Sequence, residues 1–119
     1  MYTELIAKTT ILIERCNQSL IRMEDVKKNT DYEADFYNEV KPYVDEVMEI
    51  ADRWMQLAND WIEKEKPKHL HPNQIDATHE NIQLISIQGF YKDTKARRFK
   101  AMYESIMYVL ESINKKVSR

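Results

Sequence analysis

His69 and His71 stand two residues apart, downstream of Glu63 and Glu65, and have the donor chemistry to hold a metal ion. Two imidazoles in a loop, however, lack the preorganised third ligand that a zinc site requires. Asp76-x-x-His79 is a partial copy of the Glu-x-x-His element of ferritin-like di-metal bundles, which also need inward carboxylates from two further helices. The apolar stripes of the first, second and fourth helical segments carry no acidic residue. Metal binding is therefore the remotest alternative. Nucleophilic chemistry has less to work with. Cys16, the single cysteine, has no basic or histidine neighbour in sequence and falls on the apolar face of its segment, as a small buried hydrophobe does. The serines lack a glycine-rich turn, and a chain with one glycine builds no phosphate-cradling loop. No catalytic residue, cofactor or small-molecule substrate is expected.

Two patches offer binding rather than catalysis. Lys92, Lys95, Arg97, Arg98 and Lys100 form the densest basic run, with Tyr91 and Phe99 interleaved. Such a run suits an anion or a nucleic acid, whose binding would weaken steeply with salt. An antiparallel arrangement brings Lys27 and Lys28 to the same end together with Asp31, Glu33 and Asp35, so the plainer expectation is a solvated helix start tied to those acids. Basic charge at a helix start opposes the helix dipole, which keeps the anion reading in play. The second patch is Leu84, Ile87 and Tyr91, at i, i+3 and i+7, almost opposite the main apolar face of its helix. It is either extra burial under a neighbour or a docking surface for a protein partner or a second copy of the chain.

The elements that must position these groups are helices. Val40, Val44, Val47, Ala51, Trp54, Ala58 and Trp61 recur at alternating four- and three-residue steps, a single helical stripe. With Tyr43, Ile50 and Leu57 on one side and Met48, Met55 and Ile62 on the other, the apolar arc spans roughly 160°, enough to touch two neighbours at once. Upstream, Leu5, Ile6, Leu12, Ile13, Cys16, Leu20, Met23 and Val26 predict a first helix over 2–28. Thr30 and Glu33 have the spacing of a capping box, which starts the second helix at 31 and carries it to 65, with a kink at Pro42. Pro72 opens a third helix over 72–91, where Ile75, Ile82, Ile85, Ser86 and Gly89 share a face and the two small residues admit another backbone closely. Asp93 or Thr94 caps a fourth helix, 94–117, whose Phe99, Tyr103, Ile106, Leu110, Ile113 and Val117 repeat the stripe.

Bulk properties agree with this reading. One glycine and three prolines among 119 residues leave little punctuation for strands and hairpins. Short connections between long helices force antiparallel neighbours, so the expected fold is all-α: one up-down-up-down, left-handed four-helix bundle domain. A net charge of −2, from 18 basic and 20 acidic residues, supplies no global field to hold nucleic acid or an anionic membrane. The lone cysteine and the absence of a signal-like or spanning apolar run point to the cytoplasm.

The run from Phe36 through Trp54, then Lys66-Pro67-Lys68 with His71 and Gln74-Ile75, and finally Arg98-Phe99-Lys100 with Glu104-Ser105 and Tyr108, resembles the YppE-like proteins of Gram-positive, Bacillus-type bacteria. The resemblance covers most of the chain. It implies an up-and-down four-helix bundle in a cytosolic protein and brings no catalytic residues, because the family is a domain of unknown function. The expectation is thus a non-catalytic cytoplasmic bundle that works by protein interaction or self-association. Nucleic-acid or anion binding through Lys92, Lys95, Arg97 and Arg98 is the alternative. If Trp54 and Trp61 anchor the interior, Trp61→Ala costs about 3 to 5 kcal/mol, read as a lower midpoint in urea unfolding.

Overall fold

Apolar stripes on four rods bury one another when the rods close into a ring. The computed structural model describes residues 1–118. Its elements are α1 (Thr3–Lys28), a π-helical turn (Phe36–Val40) that runs into α2 (Lys41–Glu65), α3 (Pro72–Gln88) and α4 (Ala96–Val117). The described residues contain no strand. Each helix packs on its two sequence or ring neighbours, α4 returning to α1, in a body 49 × 26 × 21 Å. Polar cross-links show the antiparallel sense. Arg53 grips Glu4 through two hydrogen bonds of 2.8 and 2.9 Å, Arg15 pairs with Glu46, and Tyr43 reaches Ser19. Between α1 and α4, Asn114 donates to Thr10 (3.1 Å), Tyr103 donates to Asn17, and Lys100 faces Glu24.

The core follows the stripes. Val40, Val47, Ala51, Trp54, Ala58 and Trp61 are buried, Trp54 completely, and only Val44 of that series is half-buried. Leu5, Leu12, Cys16 and Met23 from α1, Ile75, Ile82 and Ile85 from α3, and Phe99, Ile106, Leu110 and Ile113 from α4 close around them. Leu70 joins this cluster from the connection before α3. Thr9 and Ser86 sit among these side chains without cost, because each hydroxyl donates to a carbonyl one turn back, at 2.7 Å.

Helix boundaries depart from expectation in three places, each for a hydrogen-bonding reason. The Thr30–Glu33 box does not form, and residues 31–35 are not helical. Asp35 is the cap instead: its carboxylate accepts from the Asn38 backbone (3.1 Å) and side chain (2.9 Å), and Glu39 accepts from the Asp35 N–H. These bonds hold the Asp35 carboxyl below the usual carboxylate range, the Asn38 side chain being the larger cause. Pro42 does not kink a regular α-helix. It sits in the first turn of α2, and the turn before it is π: Val40 N–H bonds to the Asp35 carbonyl and Lys41 N–H to that of Phe36, five residues back. Third, α3 ends at Gln88, and Thr94 caps that end rather than starting α4, its hydroxyl donating to the Gln88 carbonyl at 2.7 Å. The fourth helix begins at Ala96 with no side-chain cap, so neither Asp93 nor Thr94 plays that part.

Gly89 follows α3 and touches α1 diagonally across the ring. A Cβ built on it would lie 3.0 Å from the Ser19 carbonyl oxygen and 3.3 Å from that of Ile85. Both are backbone atoms and cannot swing aside. Gly89→Ala gains helix propensity worth up to about 1 kcal/mol, but forcing two backbones apart costs more. The expected outcome is a net loss of about 1 to 2 kcal/mol in urea unfolding, with Ser19→Gly failing to restore it because the obstacle is the carbonyl.

Candidate functional site

An open groove of about 630 Å³ runs between the second half of α1, the connection at Asn29–Tyr32 and the start of α2. Its central feature is Arg22. The guanidinium carbon lies 4.4 Å from the centre of the Tyr43 ring and 4.2 Å from that of Phe90, and the two rings meet edge to face at 5.7 Å. Stacking of this kind is worth about 0.5 to 2 kcal/mol and fixes the plane of the guanidinium. Yet Nη1 is buried without a hydrogen-bond partner, and Arg22 takes part in none of the ion pairs among the described residues.

Three segments far apart in sequence build this arrangement. Tyr43, in the first turn of α2, is pinned by donating to the Arg15 carbonyl at 2.8 Å and by a 3.2 Å bond with the Ser19 hydroxyl. Phe90 is buried because Gly89 lets the chain turn inward against α1. Arg22 then spans from α1 across both rings. On the groove's rim, Tyr32 donates to Glu39 at 2.9 Å, and its hydroxyl pKa is pushed up to about 12 by burial first and by the Glu39 carboxylate second. Ile21 forms an apolar wall and is 58% exposed. Immediately along the chain, Phe36 and Tyr37 stack edge to face at 5.3 Å and are also exposed.

Leu84, Ile87 and Tyr91 are half-buried, not part of the exposed apolar surface, which consists of Ile21, Phe36, Tyr37, Tyr108 and the N-terminal Met1. Lys92, Lys95, Arg97 and Arg98 are exposed, and none of them enters an ion pair with a described residue. The expected ties to Asp31, Glu33 and Asp35 are thus replaced by backbone bonds: Lys27 donates to the Lys92 carbonyl (3.1 Å), and Lys92 to that of Thr30. Cys16 is enclosed, and burial pushes its thiol up to about 12. Of the histidines, His79 pairs with Asp52 of α2 at 2.6 Å, His71 uses its backbone N–H to bond Gln74, and His69 is exposed. Among the described residues no three His, Cys, Asp or Glu side chains gather to hold a metal ion, and no helix is long and apolar enough to cross a membrane. The groove itself carries no signature in sequence, since Arg15, Gln18, Arg22 and Asp25 read there as an ordinary polar stripe. The nearest signal is Gly89, read with Ser86 as a place where another backbone comes close, and it says nothing of Phe90.

Fold and site define the class as an all-α, antiparallel four-helix bundle with a charged, aromatic-backed groove. The chain belongs to the bacterial domain of unknown function DUF1798, whose family model matches residues 9–117. It is 30% identical over 115 residues to the Bacillus subtilis (strain 168) protein YppE, described as uncharacterized, over 97% of this chain and 93% of that protein. The crystal structure of Bacillus subtilis YppE matches at TM-score 0.93 and 29% identity, covering 100% and 96% of the two chains. A crystal structure of a Listeria innocua protein of unknown function matches in fold at TM-score 0.93 and 24% identity, covering 100% and 97%. The resemblance to YppE-like proteins read from the motifs is therefore shown.

The Tyr32 and Glu39 pair makes the groove's rim titratable. An unfolded tyrosine ionises near pH 10, so a hydroxyl held protonated up to about 12 stabilises the fold fully below about pH 10, and that share is lost as pH rises toward 12. Glu39→Gln removes the hydrogen-bonded carboxylate but leaves the burial. Phenolate absorbance, with Tyr32→Phe subtracted, is expected to rise at lower pH in Glu39→Gln than in the parent.

Proposed function

We propose that this chain is a non-catalytic cytoplasmic bundle that works by binding another polypeptide, and that the Arg22 groove is where that polypeptide docks. The observation that carries this reading is a guanidinium stacked on two rings yet in no ion pair with a described residue. Nη1 is enclosed against the rings, so an incoming carboxylate meets the other N–H groups of the half-buried guanidinium, on the side of Arg22 that lines the groove, and forms a charge-assisted hydrogen bond there. Asp25 and Glu39 give the groove groups of the opposite sign, and Ile21, Val26 and Tyr43 give it apolar walls. That mixture fits an extended polypeptide segment bringing a carboxylate for Arg22 and an apolar side chain for Ile21. It fits a polyanion poorly. A second depression, about 680 Å³ between α3 and α4 beside the exposed Tyr108, contains no comparable unpartnered cation. The enclosed, protonated Cys16 supports the non-catalytic part of the reading.

The test is affinity capture from the source bacterium with the full chain, followed by quantitative binding of the recovered protein. Ile21→Glu and Arg22→Ala are each expected to weaken binding at least about tenfold, while Tyr108→Ala, on α4 and outside the groove lining, leaves it unchanged. Ile21 is exposed, so its variant keeps the parent's melting curve. Full retention of binding by both groove variants, or equal loss with Tyr108→Ala, would sink the assignment.

A further inference from the structure

Two connections lie side by side at the end of the bundle where α1 finishes and α4 begins. Lys27 donates to the Lys92 carbonyl at 3.1 Å, and Lys92 in turn to the Thr30 carbonyl, so residues 29–35 and 89–95 are laced together. The first connection presents Asp31, Glu33 and Asp35, all exposed. The second, continuing into the first turn of α4, presents Lys92, Lys95, Arg97 and Arg98, all exposed, with Asp93 as the one acid among them. Although acids and bases are neighbours here, none of these seven enters an ion pair with a described residue.

We infer that this end is a two-fold contact between two copies of the chain, the basic segment of each facing the acidic segment of the other. A patch whose two halves carry opposite signs is complementary to itself when turned through a two-fold axis. No other occupant matches both halves equally well. A nucleic acid attracted by Arg97 and Arg98 meets Asp31, Glu33 and Asp35 directly beside Lys92, and like charges in register repel it. A second copy meets opposites at each of the seven, with Asp93 the one acid in the basic half. The net charge of −2 puts little long-range repulsion between copies. Phe36 and Tyr37, directly after the acidic segment and 47% and 77% exposed, supply aromatic surface of the kind that interfaces favour.

Size sets the strength. The end of a body 26 × 21 Å across offers less than the about 800 Å² per partner of a standard interface, so the dimer is weak and its specificity is electrostatic. The contact borders the Arg22 groove at Asn29 and Tyr32 but calls on none of Ile21, Arg22, Asp25 or Glu39, and its test uses no groove substitution, so the two readings stand or fall separately.

The experiment is analytical ultracentrifugation of the full chain up to about 1 mM at low ionic strength, repeated at about 1 M salt, where the Debye length falls to about 3 Å. A mass rising toward the dimer at low salt, with a dissociation constant at least about tenfold higher at high salt, is expected. Two charge-reversed variants then test the pairing: Arg97→Glu with Arg98→Glu, and Asp31→Lys with Glu33→Lys. Each alone stays monomeric, and an equimolar mixture of the two recovers the dimer. A parent that remains monomeric throughout, an association indifferent to salt, or a mixture that fails to pair overturns the inference. Because the parent's salt dependence is read without any substitution, a variant that folds poorly does not shelter it.

Discussion

The close diagonal approach of α3 to α1 at Gly89 and Ser19 is the constraint from which the functional end of this molecule follows. A four-helix ring ordinarily keeps diagonal partners apart with side chains between them. Here a residue without a side chain brings the end of α3 against a carbonyl of α1. That contact turns Phe90 into the interior beside Tyr43, and the two rings leave one opening, which the Arg22 side chain fills. The groove exists because a side chain with a charged head does the work of a core hydrophobe. Its carbon stem and flat guanidinium satisfy the packing, while its charge enters no ion pair with a described residue.

Helical periodicity made most of the fold legible before any coordinates. Trp54, Trp61 and their fellows on α2 had to face inward, since a stripe with alternating four- and three-residue spacing can be dry on one side only. Helix starts were less legible, because a start is decided between competing caps and the losers leave no trace in the pattern. Thr30 with Glu33 and Asp35 with Glu39 both had capping chemistry, and the second pair prevailed, its members four residues apart across a widened π-turn. Leu70, alone between two histidines, gave no periodic hint that it would be buried. The groove was legible least of all. Arg22, Tyr43 and Phe90 belong to three segments with no fixed spacing between them, and nothing local distinguishes an arginine stacked on two rings from one in solvent.

Charge is distributed in two ways. Along the sides of the bundle it is spent on staggered pairs such as Arg53 with Glu4 and Arg15 with Glu46, which register neighbouring helices and add little stability each. At the end where α4 begins it is kept in reserve: cations stand against the helix dipole, in no ion pair with a described residue, at a helix start with no side-chain cap. Stability alone would favour an acid there. Groups placed against their own local energetics in a chain otherwise so regular are the natural places to look for contacts with other molecules.

The π-turn at Phe36–Val40 has one more implication, for the tolerance of this fold to changes in chain length. A π-turn holds one residue more than the α-turn it replaces, and the surplus lies where Pro42 has already removed a backbone donor. Excision of a single residue there would let the turn tighten to ordinary α geometry while every side chain from Tyr43 onward kept its facing. The same excision in the middle of α2 would rotate everything after it by about 100° and carry the tryptophans into water. The segment therefore acts as slack in the chain, a place where evolution can lengthen or shorten the approach to α2 without disturbing the interior.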